Sequence, residues 1–278
     1  MTILTWDAEV DRVYETGVKN GILFPKKADG SYDNGIPWNG LTAVSESPSG
    51  AEETALYADD DKYLSLRSKE EFGGTIEAYT YPDEWAVCDG SASLDTNYGV
   101  IIGQQTRKPF GLFYRTTKGN AAEGNDYGYK LHFIYNALAS PSEKSYATIN
   151  DSPEAITFSW TFTTTPIEFR SDLKKSSTLI IDSTKVTSAV LSAIEDKVYG
   201  TNNSESEMPT PDWIISLVEG SGPAGTYTAV DTSAAGYSTK NPKDEGWYEK
   251  TGSDPATYTR TKDTVVDIST TYYSYSAS

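Results

Sequence analysis

Between residues 154 and 165 the chain alternates without a break. Ile156, Phe158, Trp160 and Phe162 fall on one side of an extended backbone, and Thr157, Ser159, Thr161 and Thr163 fall on the other. A period of two, with large apolar residues opposite small hydroxyls, defines a strand with one buried face. Five threonines in the stretch stiffen it toward the extended conformation. Pro153 and Pro166 bound it, since proline cannot donate to the middle of a ladder. The rest of the fold must place a core on one side of this strand. Its hydroxyl face is left for solvent, a lumen or a neighbouring subunit.

The remaining composition agrees with a mainly β chain. Of 278 residues, 20 are tyrosine, and Thr, Ser and Gly are plentiful. Tyrosine covers apolar area while keeping a wet hydroxyl, which suits strands and interfaces. Further alternation predicts strands at residues 41–44, 63–66, 75–81, 100–106, 110–114, 129–135 and 178–181. Gly73-Gly74 ahead of the third of these marks a bulge or a close approach of backbones. Pro82 opens a helical turn. Residues 116–126 read as a Gly/Asn turn, and 136–151 as a linker. One clear helix is expected at 184–199, capped by Ser183 or Thr184 and stopped by Gly200. A second starts at Thr210-Pro211-Asp212 and ends at Gly220.

One texture change, at Glu219, sets the expected domains, 1–218 and 219–278. The later segment has few Leu or Ile, and Thr226-Tyr227-Thr228 with Asp231-Thr232 recurs loosely as Thr257-Tyr258-Thr259 with Asp263-Thr264. This reads as a small β-rich appendage of hairpins. Trp247, Tyr248, Tyr272 and Tyr273 argue against disorder there. Residues 45–61 are polar and read as a long loop, and long loops in compact domains are usually functional or disordered. Trp38 lies among turn residues just before it. A loop tryptophan is either tucked onto its own domain or docked on a partner, and the sequence leaves both open.

Charge and reactive residues exclude several functions. The net charge is −17, concentrated in residues 1–90 with 18 acids against 7 bases. Gripping nucleic acid needs clustered Lys and Arg, so this chain does not do so as its main task. Cys88 stands alone, so no internal disulfide or multi-Cys metal site can form. His132 is the only histidine, so it has no second histidine with which to hold zinc. Asp59-Asp60-Asp61 lacks the spaced calcium-loop pattern. No Walker or G-x-S-x-G pattern is present, and forty acids single out no pair as a glycosidase dyad. No case for an enzyme, a cofactor or a metal follows. The N-terminal residues lack a signal-peptide pattern, and no stretch is apolar enough for a membrane helix.

Several separate blocks resemble the major tail protein, or tail tube protein, of long-tailed siphovirus-type bacteriophages. They are Ile36-Pro-Trp-Asn-Gly-Leu-Thr, Glu46-Ser-Pro-Ser-Gly-Ala-Glu, Tyr57-Ala-Asp-Asp-Asp-Lys-Tyr-Leu and Thr75-Ile-Glu-Ala-Tyr-Thr-Tyr-Pro-Asp-Glu-Trp. Gly103-Gln-Gln-Thr-Arg-Lys-Pro-Phe-Gly-Leu, Ala139-Ser-Pro-Ser-Glu-Lys and residues 146–160 follow in the same order. The resemblance covers residues 17–218 and does not reach 219–278. It implies a tail-tube β-sandwich or barrel with a flanking helix, assembled into stacked rings, usually hexameric, that conduct double-stranded DNA without tight binding. By position, residues 38–61 are the loop that such proteins extend to the next ring, with Trp38, Asn39, Glu46, Pro48, Glu52 and Tyr57 as candidate contacts. Asp59, Asp60, Asp61 and Glu77 are candidate lumen or rim acids. The partners implied are further copies of the chain, a tail terminator, a tape-measure protein and distal tail proteins. The implied location is a virion tail made in the bacterial cytoplasm. The alternative is a β-sandwich adhesin, virion-borne or secreted, that stacks its aromatic residues on carbohydrate.

Overall fold

The structure is a computed structural model. It describes residues 6, 12–93, 99–146, 148, 155–169, 173–221, 226–229, 248–251, 257–260 and 272–276. Along the chain come β1 (Val13–Pro25), β2 (Ile36–Pro37), β3 (Leu41–Glu46), β4 (Ser49–Gly50), β5 (Glu53–Ala58), β6 (Asp61–Arg67), β7 (Glu70–Glu71) and β8 (Gly73–Ala78). A 3₁₀ turn at Asp83–Trp85 leads into α1 (Ala86–Asp89), then β9 (Ala92–Ser93), β10 (Ile101–Ile102), β11 (Phe110–Asn120), β12 (Gly124–Ala139), β13 (Phe158–Thr164) and β14 (Thr178–Asp182). Next come α2 (Ser188–Tyr199), α3 (Pro211–Ser221) and four strands, β15 (Thr226–Ala229), β16 (Tyr248–Thr251), β17 (Thr257–Arg260) and β18 (Tyr272–Ser276). The fold is mainly β. Glu154, Trp247 and the Asp-Thr pairs of the loose repeat lie outside the described residues.

The chain divides into two compact units. One comprises Thr16–Thr116 and His132–Ile180, and the other Met1–Glu15, Thr117–Leu131 and Ile181–Ser278. The eight-stranded sheet runs in the order β2-β1-β11-β12-β13-β8-β3, with β14 also pairing β12. In the first unit β13 lies antiparallel to β8, with Trp160 opposite Ile76 and Thr161 opposite Thr75. The alternation that opened the sequence argument is realised here: Trp160 and Phe162 are buried while Thr161 and Thr163 are exposed. The apolar face joins Leu23, Trp38, Ile76, Phe110, Leu112 and Ile134 in one core. The short helical turn closes that core with Trp85 and Cys88, both fully buried. Trp85 meets Phe110 edge-on at 4.9 Å and Trp160 at 5.5 Å. A second aromatic cluster, Phe113, Phe133, Tyr135 and Phe169, uses the alternate positions of β11 and β12. Residues 131–135 are therefore buried on both faces, His132 included.

Gly74 is where the close approach falls. A Cβ there would stand 2.4 Å from the Ser45 carbonyl oxygen and 2.7 Å from the Phe162 ring. Only glycine lets β3, β8 and that ring meet.

In the other unit, α2 buries Ala189, Val190, Leu191, Ile194 and Val198. α3 adds Ile214 to the buried set. Lys197 lies 5.5 Å over the Trp213 ring and pairs with Glu207. The cap of α2 is Thr187, whose hydroxyl accepts from the Val190 amide, and not Ser183 or Thr184. Thr184 is engaged elsewhere: its amide and hydroxyl both donate to Asp182, at 2.9 and 2.7 Å. That turn delays the helix by four residues. α3 starts at Pro211 as expected, its Trp213 amide 3.4 Å from the Thr210 hydroxyl, and runs one residue past Gly220. The four late strands pair in the order β15-β18-β16-β17, so both Thr-Tyr-Thr repeats are strands of one sheet.

Further expected boundaries move. Residues 100–106 hold only the two-residue β10, because Gln104 takes a positive φ of 61° and ends the extended run. Residues 116–126 are mostly strand, with the turn confined to 121–123. Asn120 accepts there from the amides of Ala122 and Glu123, at 3.1 and 2.6 Å. The segment expected as a linker from 136 begins as the last four residues of β12.

Candidate functional site

Residues 45–71 are not an irregular loop. They form a two-stage ladder that leaves the sheet after β3 and returns at β8. β4 pairs β7, and beyond it β5 pairs β6 from Glu53↔Arg67 to Ala58↔Asp61. The chain reverses through Asp59 and Asp60, at φ of 52° and 66°. Two positive φ values between paired flanking residues are the mark of a type I′ hairpin turn. Aspartate tolerates that backbone better than most residues, so the pair has a structural reason to be there. Glu53 holds the hairpin across its strands, meeting Lys62 and the Ser65 hydroxyl.

Almost nothing on this hairpin is buried; Ala55 alone of residues 45–71 is half-covered. Yet Leu56 and Leu64 face each other across the strands, and Leu66 sits opposite Thr54 on the same side. These leucines are 42%, 38% and 55% exposed, and Tyr57 and Tyr63 above 70%. A two-stranded hairpin is marginal by itself in water. Contiguous apolar surface on a projecting element marks a contact site.

The sequence-predicted residues separate into three places. Pro48, Glu52, Tyr57, Asp59, Asp60 and Asp61 are all exposed on the ladder. Trp38 is a correction. It is 3% exposed, packs on Trp85 and Trp160, and donates its indole N–H to the Thr80 carbonyl at 3.0 Å. It is tucked into its own core and has no surface to offer a partner, while Asn39 beside it is exposed. Glu46 sits at the root of the ladder and is held internally. It accepts from the Tyr114 hydroxyl at 2.7 Å and lies 3.7 Å from Nδ1 of His132. The facing His132 ring holds the Glu46 carboxyl below its ordinary range; burial opposes this and the Tyr114 hydroxyl adds to it. Burial, and then the neighbouring carboxylate, raise the Tyr114 phenol. His132 stacks on Tyr114 at 4.5 Å and its Nε2 meets the Thr116 hydroxyl at 3.0 Å.

Glu77 lies on the sheet itself, opposite Ser159 and Ala43. It shares the non-core face with Thr75, Thr161 and Thr163, since directly paired residues point the same way. That face carries these hydroxyls and Glu77, with Ala43 opposite Glu77 and Leu138 opposite Thr163.

Among the described residues no group of three or more His, Cys, Asp or Glu is gathered as a metal site, and no described helix is long and apolar enough to cross a membrane. Burial pushes the Cys88 thiol up to about 12; nearby Lys108 opposes this and Asp89 adds to it. A thiol held protonated in this way is no nucleophile. The leucine face was missed in the sequence because the segment reads as polar. Its signal was there, in Leu56 three residues before Asp59-Asp60 and Leu64 four residues after, paired across a one-residue register shift.

No protein-family model and no curated protein matches the chain. Among solved structures, one similar chain comes from the sheath–tube complex of an extracellular contractile injection system in its extended state. It shares 13% identity at a TM-score of 0.26, over 59% of this chain and 88% of that one. A likeness this slight decides neither fold nor function.

Proposed function

We propose that this chain is a structural subunit that associates with copies of itself, as a phage tail tube protein does, and that its stacked rings form a conduit for double-stranded DNA. The observation that carries the reading is the projecting β5–β6 hairpin with its uncovered leucine and tyrosine side chains. It occupies the stretch that the sequence resemblance assigns to contact between rings. The hydroxyl-lined face of β8 and β13 supports a smooth wall, and Glu77 gives it negative charge. A net charge of −17 per subunit would repel DNA phosphates and let the polymer slide. Strands β3 and β14 lie at the ends of their pairings, so each offers an edge for lateral joining.

Electron microscopy of the purified protein at rising concentration and salt tests this. Rings or tubes are expected. A monodisperse monomer under every condition would end the proposal.

A further inference from the structure

A polar pocket of about 550 Å³ opens beside α1 in the unit that also carries the hairpin. Asp89, Gly103, Gln105, Arg107, Ser142 and Lys144 line it. Three chain segments, far apart in sequence, meet there. The Arg107 guanidinium is laid against Gly90: a Cβ on that glycine, at φ of +80°, would fall 2.9 Å from the Arg107 Cζ. The backbone is thus shaped around the arginine. Nε of Arg107 is shielded from water and has no hydrogen-bond partner. Lys144 pairs with Asp89 at 2.5 Å and lies 5.6 Å over the Tyr81 ring. Burial works against its charge, but the Asp89 bond outweighs that and holds the ammonium protonated. Two cations against one acid leave the pocket positive in a strongly acidic chain. Next to it in the chain, Val100, Ile101 and Ile102 are 44%, 63% and 44% exposed.

We propose that this pocket seats the β5–β6 hairpin tip of a second copy of the chain, with Arg107 and Lys144 taking the carboxylates of Asp59, Asp60 and Asp61 and the Val100–Ile102 ridge covering hairpin leucines. The proposal rests on the self-assembly reading and names its receptor. Charge complementarity selects the occupant. The tip presents three exposed carboxylates, none in an ion pair among the described residues, beside apolar side chains. The pocket presents the Arg107 guanidinium and the Lys144 ammonium beside an apolar ridge. Bidentate arginine–carboxylate bonding supplies orientation as well as attraction.

The test mixes ¹⁵N-labelled and unlabelled protein and applies a zero-length carbodiimide coupling of carboxylates to amines. The expected product is a mixed-isotope peptide joining Lys144 to the segment carrying Asp59–Asp61. Other inter-copy links without this one overturn the docking and leave self-assembly standing. No inter-copy link of any kind overturns both. In parallel, D59N/D60N keeps residues that tolerate the turn, and R107Q removes the charge while keeping a polar side chain. Each is expected to raise the concentration needed for assembly about tenfold or more, with unchanged circular dichroism. The pair R107E/D61K is expected to recover part of that loss. R107Q that folds and assembles like the parent protein would overturn the proposal.

Discussion

The indole N–H of Trp38 donates to the main-chain carbonyl of Thr80, 3.0 Å away, across 42 residues of sequence. This bond ties the strand-connecting turn before β3 to the segment after β8, at the two ends of the excursion that carries the hairpin. Trp38 also packs on Trp85 at 4.7 Å and on Trp160 at 5.8 Å. Truncating it empties the centre of the core, so W38A is expected to cost about 3–5 kcal/mol in urea unfolding. W38F keeps most of the ring and loses the donor, which leaves the Thr80 carbonyl short of a partner. Its cost is expected near 1–2 kcal/mol. Equal losses for the two variants would mean that the bond and not the packing dominates.

Gly74 makes a second stability prediction. In G74A the new methyl group meets a main-chain oxygen and a buried ring, neither of which has room to move. Overpacking of this kind costs about 1–3 kcal/mol. G103A is the control, because a Cβ at Gly103 meets nothing within 4 Å. Thermal unfolding of the two variants is expected to separate them clearly. Indistinguishable melting curves would refute the close-approach account.

What could be read from the sequence followed the physics of local periodicity. The alternation around Trp160 gave the strand, its buried face and its hydroxyl face. Thr210-Pro211 gave the start of α3, because an N-cap and a fixed φ are local properties. The α2 cap was misplaced by three or four residues, since Asp182 drew Thr184 into a turn, and that competition is tertiary: Asp182 is fixed by Lys118. The first arm of the hairpin was read as a loop, while residues 63–66 of the second were read as a strand. The two aspartates of the turn do the job usually given to Asn-Gly, and the first arm has no buried face to impose a period. The Arg107 pocket had no sequence signal at all. It exists only where residues 89–91, 103–107 and 141–144 converge.

The Asp182–Lys118 pair predicts a pH dependence. Lys118 Nζ lies 2.6 Å from Asp182, and the side chains are 11% and 22% exposed. Burial pushes the Asp182 carboxyl up, but Lys118 and the two Thr184 bonds outweigh it and hold the group below the ordinary aspartate range. A carboxyl depressed in the folded state takes its proton first in the unfolded chain. Its contribution is therefore complete above the ordinary aspartate range and is lost as pH falls through the folded-state value. D182N leaves a poorly hydrated ammonium without its counter-charge, for a loss of about 1–3 kcal/mol at pH 7. The gap between D182N and the parent protein should narrow steadily below about pH 4. A gap that stays constant down to acid unfolding contradicts the depressed carboxyl.

The leucine face of the hairpin separates assembly from folding. Leu56 and Leu64 contact each other across the strands but no core, so replacing both with serine removes little that the isolated subunit uses. The L56S/L64S subunit should stay within about 0.5 kcal/mol of the parent in chemical unfolding, as surface changes usually do. Between copies the account differs. Each leucine covered in a contact contributes about 1.5–3 kcal/mol before the costs of association, and it does so at every equivalent contact in a closed ring or stack. Sedimentation velocity is expected to show assembled species for the parent protein and only the folded monomer for the double variant at the same concentration. If the variant assembles like the parent, the exposed leucines are not the contact, and the hairpin loses its place in the proposed function. If it unfolds instead, the leucines hold the subunit itself together and are not the contact between copies.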